Sequence, residues 1–257
     1  MQPLTGALSK QQLPVYDKPM IYYPLSVLML AGIQDILIIS SHQHVETFQV
    51  MLGDGSRLGI HLDYAVQDEP RGVADAFLVG DKHIGNDRVA LILGDNVFHG
   101  PGFSTVLKDS LQRLDGCELF GYPSKSPDRY GVAEIDEQGN LLSLEEKPSR
   151  PRSNLAVTGL YFYDNDVVEL AKDLKPSTRN ELEITDINLS YLEQGRARLT
   201  QLGRGFAWLD MGTHDSLLQA GQYVQLLEQR QGRTHRLRRG DRTAHGLHRR
   251  GHLLPAG

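Results

Sequence analysis

At 257 residues, 40% hydrophobic and 23% charged, the chain has apolar material for one large α/β domain or at most two small ones. A formal net charge of -5 argues against a general nucleic-acid partner, and a single cysteine, Cys117, excludes an internal disulfide and any cysteine-based metal cluster. The opening residues do not read as a signal peptide. No apolar run reaches membrane-spanning length either, since residues 20–31 are interrupted by Pro24 and Ser26. A reducing, cytoplasmic setting without a membrane partner is the expectation.

In chain order, residues 7–15 read as a loop lying over a site. Pro14 stiffens it, and Lys10 is a point charge of the kind used on phosphates. Residues 17–31 read as a helix, with Pro19 in its first turn and Ile21, Leu25, Leu28 and Met29 on one face. Residues 35–40 are a strand, 45–52 a short helix, and 60–66 a second strand that ends at Gln67. From Gly72 a helix is expected to open, so that backbone N–H groups face whatever Gln67 faces. The run of residues 89–93 is a third buried strand, and it stops at Gly94-Asp95-Asn96. Ligands of open α/β sheets sit beyond such carboxyl ends, so Asp95 reads as a ligand for a hard divalent cation or as the cap of the next turn.

A helix over residues 103–114 completes a strand–helix alternation that implies βαβ units and a parallel sheet. The texture then changes. Strands at 119–122, 130–135 and 141–145 read as an antiparallel excursion from that sheet. A strand at 157–163, helices near 167–174 and 183–194, strands at 197–202 and 206–209, and a long helix over 213–229 follow. The fold class expected is α/β: a Rossmann-like, mostly parallel mixed sheet with helices on both faces. His42, His44, His99 and His214 lack metal-ligand spacing with acidic partners and read as structural.

Six blocks in order carry a resemblance. LSKQQLPVYDKPMIYYPLS at 8–26, Gln67 with GVADA at 72–76, LGDN at 93–96, RYGV at 129–132 with LEEKP at 144–148, VTGLY at 157–161 and WLDMGT at 208–213 together resemble the glucose-1-phosphate thymidylyltransferase family. That resemblance implies transfer from dTTP to α-D-glucose 1-phosphate, giving dTDP-glucose and pyrophosphate with Mg²⁺. By the same resemblance Asp95 and Asp210 hold the metal, and Lys10 meets the triphosphate or leaving pyrophosphate. Lys147 meets the sugar phosphate. Gln11, Gln67 and Gly72 belong to the nucleotide side, with Gln67 on a pyrimidine edge. Tyr130, Gly131, Glu146, Val157 and Tyr161 line the sugar pocket. The family is typically homotetrameric.

Two departures qualify this. The family opens with a buried strand and a Gly-rich G-x-G-T-R-L loop that cradles the triphosphate; the chain opens just beyond it, as an N-terminally truncated domain over residues 1–231. Low or absent turnover is therefore expected, together with unpaired ladder groups near the middle of the sheet. A non-catalytic nucleotide-sugar-binding remnant and a UTP-using uridylyltransferase are the rival readings. Residues 232–257 hold seven of the 27 Lys and Arg and four of the ten His against one acid. They read as a basic interaction tail, a disordered end or an out-of-frame translation.

Overall fold

The structure, a computed structural model, describes residues 1–231 and 250–254. A short hairpin, β1 (Pro14–Val15) against β2 (Lys18–Pro19), comes first. Pro19 therefore lies in a strand rather than in a helix, because the turn at Tyr16, with φ 65°, folds it back onto Pro14. Helix α1 is correspondingly shorter than residues 17–31. It spans Tyr22–Leu30, and Pro24 sits in its first turn, where a missing N–H breaks no helical bond.

Next come β3 (Asp35–Ser40), α2 (His42–Leu52), β4 (His61–Val66), and the short helices α3 (Asp75–Val79) and α4 (Asp81–Ile84). β5 (Val89–Leu93), β6 (Asn96–His99) and α5 (Phe103–Gln112) follow, then β7 (Cys117–Pro123), β8 (Gly131–Ile135), β9 (Leu141–Glu146) and β10 (Leu155–Tyr163). The chain continues through α6 (Val167–Asp173), α7 (Ile184–Glu193), β11 (Ala197–Gln201), β12 (Ala207–Asp210), α8 (His214–Gln231) and β13 (Arg250–Leu254).

The main sheet runs β11-β7-β10-β5-β13-β3-β4, with β8 and β9 joined through β10. Pairs β11–β7, β5–β13, β13–β3 and β3–β4 are parallel, whereas β10 is antiparallel to β5, β7 and β8. The fold is thus mixed α/β. Strand periodicity divides the core in two, because successive side chains point to opposite faces. Ile36, Ile38, Ala90, Ile92 and Phe162 face one way, with α1, α2 and α5 over them. Leu37, Ile39, Val89, Leu91 and Tyr163 face the other, under α3, α6 and α7. A third cluster, built on Val15, Met20, Val97, Met211 and Val224, seats α8 against the hairpin and β6.

Two expectations change here. Residues 250–254 are a strand paired in parallel with β3 and with β5, so this part of the tail is ordered and the middle of the sheet is filled. The remaining tail readings fall on residues 232–249 and 255–257, outside the described residues. Among the described residues no helix is long and apolar enough to cross a membrane.

Candidate active site

β5 delivers Asp95 past its carboxyl end, buried at 2% exposure. The chain then reverses into β6, a strand that sequence reasoning does not find, and β6 pairs antiparallel with β12. Their register sets Asp210 opposite Asn96, while the Met211 N–H donates to the Asp95 carbonyl at 3.0 Å. Two carboxylates far apart in sequence are thereby brought to one place. Asn96 fastens the arrangement: its Nδ2 donates to Asp95 Oδ1 at 2.8 Å, and its Oδ1 accepts from Trp208 Nε1 at 2.6 Å and from the Gly159 N–H at 3.2 Å.

The electrostatics follow from the crowding. Burial, reinforced by the Asp95 charge, pushes the Asp210 carboxyl up to about 6. Lys10 and Arg129 pull the other way: Lys10 Nζ lies 2.7 Å from Asp95 Oδ2, and Arg129 Nη2 lies 3.8 Å from Asp210 Oδ2. Tyr130 donates to Asp210 Oδ2 at 3.3 Å, and burial with that nearby charge lifts its phenol to about 12. Its ring packs on Trp208 at 4.8 Å between centroids. One buried and one half-buried carboxylate whose charges repel one another suit Mg²⁺, which takes one or two carboxylates and fills its shell with water and phosphate oxygens. The residues present therefore fit that ion.

Beside this centre lies a second group. Gly131 pairs with Glu146 across β8 and β9, and a side chain at Gly131 would reach Thr185 Oγ1, Glu146 Oε2 and Val157. Thr185 donates to Glu146 Oε2 at 2.6 Å. Tyr161 is buried, and that burial with the Glu146 charge raises its phenol well above the ordinary range. Lys147 holds the left-handed backbone at φ 43°, unusual for a side-chain-bearing residue, with its N–H donating to the Tyr130 carbonyl at 3.0 Å. Its Nζ lies 3.7 Å from Glu146 Oε1. Gly131, Glu146, Lys147, Val157 and Tyr161 thus form one cluster, and Tyr130 links it to Asp210.

Gln67 and Gly72 are also together, yet not as a free N–H cluster. The helix starts only at Asp75, and the Ala74 N–H is already taken by the Leu182 carbonyl at 3.2 Å. Gln67 Nε2 donates to Asp75 Oδ2 at 2.9 Å and to the Gly72 carbonyl at 3.4 Å. Gly72, at φ 106°, brings its backbone so close to Leu182 that a Cβ would stand 2.5 Å from that carbonyl oxygen. Gln11 is buried, accepts from the Ser9 hydroxyl, and leaves its Nε2 without a protein partner among the described residues.

Sequence reasoning does not single out Arg179, whose Nη2 lies 3.4 Å from Glu146 Oε1 and 2.8 Å from Glu183 Oε2. It adds a cation to the Glu146–Lys147 group. The available signal is its four-residue spacing from Glu183 at the entry to α7. Arg129 is legible only as part of a block, and its place beside Asp210 needs the fold. Of the histidines, His42 pairs at the surface with Asp68 and His99 with the Tyr223 hydroxyl. Among the described residues the one acidic and histidine trio within reach of a shared ion is Asp35, His61 and Asp63, half-buried to exposed at the amino edge of β3 and β4.

The profile of the family described as nucleotidyl transferase matches residues 1–226. A glucose-1-phosphate thymidylyltransferase of Neisseria gonorrhoeae is 57% identical over 228 residues, covering 89% of this chain and 79% of that protein. One from Mycobacterium tuberculosis is 55% identical over 232 residues, covering 90% and 80%. Among solved structures, a UDP-glucose pyrophosphorylase holding UDP-glucose is 26% identical with a TM-score of 0.76, covering 88% of this chain and 94% of that one. With the family match spanning residues 1–226, which include both carboxylates and the Glu146–Lys147 group, the chain belongs to the nucleotidyl transferase family, among its glucose-1-phosphate thymidylyltransferases.

Proposed function

We infer that this site transfers a thymidylyl group from dTTP to α-D-glucose 1-phosphate, giving dTDP-glucose and pyrophosphate in a cytoplasmic setting. A phosphate oxygen of the sugar phosphate forms the new bond to the α-phosphorus, the α–β P–O bond breaks, and pyrophosphate leaves with its electron pair. Such a reaction asks the protein mainly for alignment and charge neutralisation. The names of the relatives support the substrates. The observation that carries the reading is the meeting of Asp95 and Asp210 through the β6–β12 register, next to Lys10.

In this reading Asp95 and Asp210 hold Mg²⁺, which when bound neutralises phosphate charge and lines up the two reacting groups. Lys10 swings from Asp95 to the triphosphate. Lys147 and Arg179 meet the sugar phosphate, while Glu146, oriented by Thr185, accepts from glucose hydroxyls, with Tyr130, Gly131, Val157 and Tyr161 shaping the pocket. Gln67 exchanges its bond to Asp75 for a pyrimidine edge lying over Gly72, and Gln11 offers its spare Nε2 on the nucleotide side. The units β3–α2–β4 and β5 serve as the Rossmann-like nucleotide half.

The test is pyrophosphate release by the purified chain with dTTP, glucose 1-phosphate and MgCl₂. Slow release that needs all three and falls to background in Asp95→Asn and in Asp210→Asn is expected. Release unaffected by either substitution would sink the reading, whereas calorimetric binding of dTDP-glucose with no turnover would mark a non-catalytic nucleotide-sugar site. The similarity to a UDP-glucose pyrophosphorylase favours a second reading in which UTP is used; competition between dTTP and UTP decides it.

A further inference from the structure

The sheet contains a join that rests on five residues. β5 is hydrogen-bonded to β10 on one side and β13 on the other; β3 is bonded to β13 and β4. Among the described residues β13 is therefore the only strand that ties β3–β4, which lead to Gln67, to β5–β10–β7, which carry Asp95 and the sugar-side group. Its pairing covers β5 from Val89 to Leu93, ending immediately before Gly94-Asp95. A gap of this kind, two parallel strands each with an unpaired edge in the core, accepts one extended segment and little else.

β13 fits by shape as well as by backbone bonds. Leu253 is fully buried in the cluster formed by α1, β3 and β5. Gly251 leaves room for the helix above: a Cβ there would stand 3.0 Å from Ile33 Cγ2 and 3.1 Å from Leu28 Cδ1. The register Gly251↔Ile36 and Gly251↔Ala90 puts the residue without a side chain where α1 comes closest. A register slip by one would exchange the faces of Gly251 and Leu253 with those of their neighbours.

We propose that the space between β3 and β5 is a strand-binding slot, that the chain's own segment Arg250–Leu254 is its occupant, and that filling it sets the position of the Asp95 loop relative to the Gln67 side. The slot is a case of strand addition in which the added strand lies inside the sheet rather than at its edge. Its occupant is recognised by an unbroken backbone ladder, a small residue under α1 and an apolar residue two positions later. The consequence for transfer rests on the thymidylyl reading above; the slot itself does not.

Hydrogen exchange followed by mass spectrometry on the intact chain tests it without any assay of transfer. Amides of residues 250–254 are expected to exchange at least about 100-fold more slowly than in a free peptide of that sequence, together with those of β3 and β5. In the full-length variants Leu253→Asp and Gly251→Phe, residues 250–254, 35–40 and 89–93 should lose protection together by at least about 10-fold, while β7 keeps more of its own. Exchange of residues 250–254 at the free-peptide rate in the unmodified chain would overturn the proposal, as would variants in which β3 and β5 exchange unchanged. A protected slot in a chain without pyrophosphate release would leave the proposal standing and count against the transfer reading alone.

Discussion

Asp210 concentrates the competing demands on the site in one side chain. Its folded-state value of about 6 lies above the ordinary carboxyl value of 3.8, because burial and Asp95 both disfavour the charge. The proton is thus held more tightly in the folded chain than in the unfolded one. The stability this contributes is complete below about 3.8, declines as pH rises through about 6, and is absent at neutral pH. Asp210→Asn should therefore stabilise the folded chain at pH 7.5 by on the order of 1–3 kcal/mol, seen as a higher unfolding temperature, and leave its stability nearly unchanged at pH 4. Calorimetry at the two pH values checks this; equal shifts at both would remove the crowded Asp210 charge as the cause. Adding MgCl₂ at pH 7.5 should stabilise the unmodified chain and not the variant.

At the scale of elements, the pairing of β6 with β12 does the positioning. Asn96 is its pivot, since one side chain contacts Asp95, Trp208 on β12 and Gly159 on β10. Trp208→Phe keeps an aromatic ring against Tyr130 yet removes the donor to Asn96 Oδ1. It should cost about 1–2 kcal/mol of stability, and it should lower turnover more than it changes the Michaelis constants. A rise in the Michaelis constant for glucose 1-phosphate alone would instead place Trp208 in sugar binding. β6 escapes sequence reasoning because Val97-Phe98-His99 is too short to show a period, and its partner lies more than a hundred positions away. The hairpin before α1 is hard to read for a related reason: Pro19 suits a first helical turn as well as a strand, and only the reversal at Tyr16 selects between them.

For the whole molecule, the two cores share one sheet, so neither face can be lost while the other persists. Leu107→Ala, in α5, and Ile187→Ala, in α7, each empty a fully buried site on opposite faces. Each should cost about 2–5 kcal/mol and lower the same single calorimetric transition. Two resolved transitions, one moved by each variant, would show that the faces unfold separately. Burial also accounts for the lone cysteine, whose thiol is pushed up to about 12 inside the second core, leaving it chemically quiet.

The alternation of strand and helix, the ends of β3 and β5, and the residue types of the site were legible from the amino-acid sequence by itself. Apolar period and turn residues act over a few positions, and the ordered blocks around Lys10, Asp95, Glu146 and Asp210 carry the family resemblance. Which residues meet was decided only by tertiary structure. The Asp95–Asp210 pairing depends on β6–β12 register, the place of Arg179 on the packing of α7 against β9, and the use of Arg250–Leu254 on a vacancy between two distant strands. That last segment has no periodicity from which a strand could be read. It becomes one because two unsatisfied parallel edges, buried in the core, leave an extended chain as the form that pairs them both.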